Sequence, residues 1–137
     1  GSGAAIRLTG ADSFDPPPGD GREHDERVRD ATDGDPASYW TTEEYYEGFP
    51  KPGVGLVLAA EEPVVVSRLT LVTDTPGFTA VIRSGDAPAR TRAVSPPRSV
   101  GRTTTFAVSS EPARVYVVWI TNLGPHEAVH VNEVRAR

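Results

Sequence analysis

Residues 31–38 read ATDGDPAS, and the oxygen-bearing side chains in that stretch are spaced to grip either a hard cation or their own backbone. Asp33 and Asp35 flank Gly34, Pro36 and Ser38 follow, and Trp40 lies two residues further on. A calcium-like cation takes six to eight oxygens, which turn carbonyls and one or two carboxylates can supply. The rival is an Asx-type turn in which Asp33 caps its own backbone. The local spacing alone favours that rival. An EF-hand loop starting at Asp33 would end correctly at Glu44, but Ala37 replaces a ligand and Ser38 replaces the sharp-turn glycine. No pair of helices flanks it, so this loop type is excluded.

A second set of chemistry-bearing residues lies in WTTEEYYEGFP, residues 40–50. Tyr45, Tyr46 and Phe49 sit in a Gly/Pro loop, where aromatic rings can stack on the apolar face of a sugar. Glu43 and Glu44 beside them can accept hydrogen bonds from sugar hydroxyls. The alternative is that at least one ring covers the end of the core. The segment GDGREHDE adds Asp20, Glu23, Asp25 and Glu26, expected to form a solvated charged surface rather than a second cation site.

Other chemistries find little footing. Zinc would need three or four ligands from His24, His126 and His130 with no cysteine to help. His126 and His130 are four apart, but a strand is expected there, so they need not share a face. No G-x-S-x-G element and no sheltered carboxylate pair emerges, and an exposed loop offers no desolvation to tune a catalytic acid. The glycines of GVG at 53–55 precede a strand rather than a helix, so they form no phosphate loop. The expectation is that the protein is not an enzyme.

The elements that must position these residues are strands. VGLVLAA (54–60), VVVSRLTLVT (64–73), FTAVIRS (78–84), TTFAVSS (104–110), ARVYVVWIT (113–121) and AVHVNEVRA (128–136) are short and rich in Val, Thr and Ile. Turn chemistry such as EEP, DTPG, SPPRSVG and NLGPHE separates them. A further strand is expected near residues 4–11, and one helical turn or two at 23–31. This pattern predicts an all-β sandwich or jelly roll of about eight strands.

The chain has 137 residues, no cysteine and a net charge of −5. That length suits one domain with its own core, and no disulfide framework is available. Twelve of the nineteen acids fall within residues 12–47, a surface that suits a cation and repels nucleic acid. No run of 18 apolar residues and no leader pattern is present, so the segment is expected neither to insert in a membrane nor to carry its own export signal. Gly1-Ser2 has the look of an expression scar, which points to a domain cut from a longer protein.

Ala31, Asp33, Gly34, Asp35, Pro36, Ser38 and Trp40 together resemble the signature of discoidin, or coagulation-factor type C, domains, which are galactose-binding-like β jelly rolls. VNEVRA (131–136) resembles the family's closing strand through Glu133 and Val134. The resemblance covers residues 3–137 and implies a discoidin-like β-sandwich. It also implies a structural Ca²⁺ held by Asp33, Ser38 and Glu133, with carbonyls from around Ala31 and Asp35. More narrowly, the Phe-Asp-Pro, Gly-Asp-Gly, Asp-Gly-Asp and Lys-Pro-Gly-Val-Gly-Leu elements resemble extracytoplasmic C-terminal domains of MviN/MurJ-like lipid II flippase–pseudokinase proteins and related membrane-anchored kinase-like proteins of GC-rich Gram-positive bacteria.

These readings make the chain a non-catalytic, monomeric, extracytoplasmic binding module. It would bind cell-wall glycan or a peptidoglycan precursor and be attached to a membrane protein of peptidoglycan biosynthesis. Two alternatives remain open. One is a protein-interaction or sensor domain that meets an envelope protein and regulates its membrane partner without a sugar site. The other is a carbohydrate module that targets a hydrolase.

Overall fold

A computed structural model describes residues 6–14, 25–42 and 53–137. Within them the chain forms β1 (Thr9–Phe14), a 3-10 helix (Asp25–Ala31), β2 (Trp40–Thr41), β3 (Val54–Val64), β4 (Arg68–Val72) and β5 (Thr79–Gly85). It continues through β6 (Thr91–Ala93), β7 (Arg98–Ser99), β8 (Thr103–Ala107), β9 (Ala113–Asn122), β10 (His130–Val131) and β11 (Glu133–Ala136). The larger sheet has the order β1-β3-β9-β5-β6, with β7 also paired to β5. The facing sheet is β11-β4-β8, and β10-β2 forms a short ribbon. Every pairing between these strands is antiparallel. The architecture is a two-layered jelly-roll sandwich.

Alternation along the strands builds the core. Leu56 and Leu58 of β3, Ala80 and Ile82 of β5, and Tyr116, Val118 and Ile120 of β9 point inward from the larger sheet. Leu69 and Leu71 of β4, Phe106 of β8 and Val134 and Ala136 of β11 meet them from the other side. Trp40, fully buried, joins the same cluster with Ala31 and Val28 of the 3-10 helix. Burying such side chains stabilises the fold by roughly 1.5–3 kcal/mol each.

The seven strand expectations correspond to β1, β3, β4, β5, β8, β9 and the β10–β11 pair, and the helical turn falls at Asp25–Ala31. Eleven strands appear among the described residues, not about eight, because β2, β6 and β7 are too short to show periodicity. The expected EEP turn is another difference. β3 runs through Glu61, Glu62 and Pro63 to Val64. Its ladder with β9 breaks there, since Ala59 opposes Val115 and Val64 opposes Ala113. Five steps on β3 span two on β9, so the surplus bulges outward and removes the need for an amide on Pro63. Among the described residues no helix is long and apolar enough to cross a membrane.

Tyr116 shows how the two layers are fixed. Its ring is fully buried, while its hydroxyl donates to the Val64 carbonyl at 2.7 Å and accepts from the Val66 amide at 3.1 Å. Ser110 Oγ lies 3.0 Å from the same oxygen. The phenol thereby satisfies backbone groups where the chain leaves the larger sheet for β4. Tyr116→Phe orphans the buried Val66 amide and is expected to cost about 1–3 kcal/mol. Urea unfolding should show a lower midpoint at unchanged slope; an unchanged midpoint would refute this role.

Candidate functional site

The 3-10 helix ends at the fully buried Ala31, and the chain turns through residues 32–38 before β2. Asp33 Oδ1 accepts the Asp35 amide at 2.9 Å, and its Oδ2 accepts the Ser38 hydroxyl. Asp35 repeats the device, with Oδ1 accepting the Ala37 amide at 2.9 Å and its carbonyl accepting Ser38 Oγ at 3.0 Å. Gly34 sits between them at φ 79°, a left-handed conformation costly for residues with a Cβ. The turn is therefore self-capped, as the local spacing alone favoured.

It is also fastened to the far end of the chain. Asn132 Nδ2 donates to the Pro36 carbonyl at 2.9 Å. The same side chain accepts the Asp74 amide on Oδ1 at 3.0 Å, and its own amide donates to the Val72 carbonyl at 2.8 Å. Glu133 follows, only 3% exposed. Its Oε2 is buried with no hydrogen-bond partner among the described residues. Burial raises the Glu133 pKa, and the negative charge of Asp33 raises it further, while Arg135 and then the Gly34 and Val134 amides partly offset both. The Ser38 hydroxyl and then the Asp35 amide hold Asp33 below the ordinary aspartate range.

This donor set fits a hard cation. A buried carboxylate oxygen without a hydrogen-bond partner lies in the field of a second carboxylate, whose own turn includes the Ser38 hydroxyl. Such an ion would draw only two acids from the described residues, where no group of three or more His, Asp or Glu is gathered for a metal. Asn132 escaped the sequence reading; its only signal was a polar residue breaking the apolar alternation just before Glu133.

On the adjoining surface, Tyr39 stacks on His130 with centroids 3.9 Å apart, and the Arg27 guanidinium lies 4.8 Å from the Tyr39 ring centroid. His130 Nδ1 is 2.7 Å from Asp74 Oδ1, whereas His126 Nε2 is 2.7 Å from the Pro76 carbonyl. The two histidines thus serve different partners. Glu43, Glu44, Tyr45, Tyr46 and Phe49 lie outside the described residues, as do Asp20, Glu23 and His24.

A separate cleft of about 250 Å³ lies on the outer face of the larger sheet, lined by Phe14, Val117, Trp119, Arg83, Thr91 and Pro88 among the described residues. Trp119 falls within the strand expected at 113–121. Here its indole lies against the backbone of residues 53–55, where a Cβ on Gly53 would come within 2.5 Å of the ring. Phe14 leans on it with centroids 5.9 Å apart.

No protein-family model and no curated protein matches the chain in sequence. Solved structures do match in three dimensions. The CpGH89CBM32-6 module of Clostridium perfringens superposes with a TM-score of 0.63 at 10% identity, covering 83% of this chain and 86% of its own. Chitosan-binding module 1 of a chitosanase/glucanase from Paenibacillus sp. IK-5 gives 0.65 at 13%, covering 80% and 83%. CpGH89CBM32-5 from C. perfringens, in complex with GalNAc-β-1,3-galactose, gives 0.63 at 14%, covering 80% and 81%. The fold is the discoidin-like jelly roll. At these identities the likeness is one of architecture, and the site must be judged on its own residues.

The paired carboxylates set a pH dependence. An acid whose folded pKa lies above its unfolded one favours the fold while protonated, so Glu133 costs stability as pH climbs through its raised folded value. Asp33 works oppositely; its contribution is complete above the ordinary aspartate range and is lost as pH falls through its lowered folded value. In chelator, Glu133→Gln should therefore melt above the parent at neutral pH, and the gap should close in acid. A variant that is less stable by the same margin at both pH values would contradict this assignment.

Proposed function

We propose that the chain is a non-catalytic glycan-binding module stiffened by Ca²⁺ at the Asp33–Glu133 turn. The fold likeness supports this reading most, since its structural neighbours include modules described as binding chitosan and pectin and one solved with a GalNAc disaccharide. The described residues agree with it. Val65, 51% exposed, is the one exposed large apolar side chain among them, which leaves little apolar patch for a protein partner.

In this reading the module lies outside the cytoplasmic membrane, tethered to a membrane protein of peptidoglycan biosynthesis, which the resemblance of the front segment to MviN/MurJ-like domains supports. Its ligand would be cell-wall glycan or a peptidoglycan precursor. Tyr45, Tyr46, Phe49, Glu43 and Glu44 supply the sugar contacts in this reading. The calcium ion would sit between Asp33, Ser38 and Glu133 with carbonyls near Ala31 and Asp35, neutralising Glu133 Oε2 and holding the turn on the last strand.

Two measurements test these parts separately. Calcium should raise the melting temperature over chelator, by about 2.7 kcal/mol in stability at a hundredfold excess over Kd, and Glu133→Gln should not respond. Identical melting curves for the parent would remove the ion. Soluble peptidoglycan fragments titrated to millimolar concentration should shift amide resonances in the loops that carry Tyr45, Tyr46 and Phe49. No movement anywhere in the spectrum, with fragments or with simple sugars, would remove the glycan reading.

A further inference from the structure

We propose that the outer-face cleft beside Trp119 is a second saccharide site, selective for a sugar unit that carries a carboxylate, such as a uronic acid. The inference rests on the glycan-binding reading but uses residues that reading does not. Cross-strand register fixes the site. Trp119 opposes Gly55 on one side and Val81 on the other, and Val117 opposes Val57 and Arg83. Phe14 opposes Gly55 from β1. Phe14, Trp119, Val117 and Arg83 thus share the face away from the core.

Each part of that face has a role a sugar can use. The backbone of residues 53–55 packs close against the Trp119 indole, which also lines the cleft. A flat, immobilised ring suits stacking against a pyranose, with Phe14 as a tilted wall. Arg83 supplies charge. Its Nε donates to Thr91 Oγ1 at 3.0 Å and its Nη2 to the Thr91 carbonyl, so the guanidinium is held by neutral acceptors. It has no ion pair with a carboxylate among the described residues. A preorganised guanidinium with spare donors is a bidentate receptor for a carboxylate.

Spacing decides between a simple apolar groove and a sugar site. Arg83 and Trp119 are diagonal neighbours on adjacent strands, about 7–8 Å apart at the backbone. That is the reach of one pyranose ring with a carboxylate at its edge. The cleft, about 250 Å³, lies below the range of pockets that enclose drug-sized ligands and suits one sugar unit.

The test is a titration of the ¹⁵N-labelled chain with D-glucuronate and, separately, with glucose. Glucuronate should shift Val81, Arg83, Val117 and the Trp119 indole N–H, and glucose should do so at least tenfold more weakly. Arg83→Gln should remove that preference, and Trp119→Ala should remove both responses. Intrinsic fluorescence gives a second readout, because Trp40 is fully buried and a change on adding sugar reports Trp119. Glucuronate shifts confined to other regions, or equal responses to both sugars, would overturn this site and leave the wider glycan reading intact. Silence with every sugar would overturn both. If Arg83→Gln unfolds the chain, Arg83→Lys keeps the charge while losing the fork, and an undiminished preference in it would refute bidentate recognition.

Discussion

The structure depends on closing the front of the chain onto its end. The bond from Asn132 to the Pro36 carbonyl joins groups 96 residues apart, and the Asn132 side chain and amide also take the exit of β4. One buried amide side chain therefore fixes the turn, the β4 end and the start of β11. Its neighbour Val131 pairs with Trp40, so the largest buried ring is seated by the same crossing. Loop-closure entropy grows only with the logarithm of length, so a long-range clasp costs little more than a short one once the sheets have formed.

Glu133 makes this crossing more than a fastener. Burying a carboxylate oxygen without a partner is unfavourable, and a second carboxylate nearby makes it worse. The turn does not need the charge for its own geometry, because Asp33, Asp35 and Ser38 already satisfy its backbone. A local cost without a local structural return is what a binding site looks like before its ligand is counted. The cation that would offset it would also tie residues 33–38 to β11 electrostatically, stiffening the loop end of the sandwich.

The long strands were legible because each alternates over five or more residues with β-branched side chains, as β9 does from Val115 to Ile120. The isolated short elements were not. β2 and β7 span two residues each and β6 three, and their partners, not their own sequences, define them. Pro63 misled in the other direction, since its turn signature is absorbed by a bulge that depends on β9. The turn at Asp33 showed its capping chemistry in sequence, whereas its link to Asn132 required knowing which strand end lies beside it. The outer-face cleft was hidden for the same reason. Trp119, Arg83 and Phe14 come from three strands far apart in the chain, and only register brings them to one face.

The glycines of β3 connect stability to recognition on that face. A glycine inside a strand weakens it, by roughly 0.5–1 kcal/mol relative to alanine in a regular element. Gly53 and Gly55 stand just before and within β3, a strand that pairs with both β1 and β9. What they gain for the structure is room, since a Cβ on either residue would collide with the side chains of β9 above it. Packing for stability alone could be reached with a smaller residue at position 119 and a better strand former at 55. The large ring over small residues instead yields an indole held in place beside the cleft. A ring that is already immobile loses little entropy on stacking, so the cost is met in the fold and not at the moment of binding. The same logic governs the Asp33 turn, whose shape its own hydrogen bonds already set.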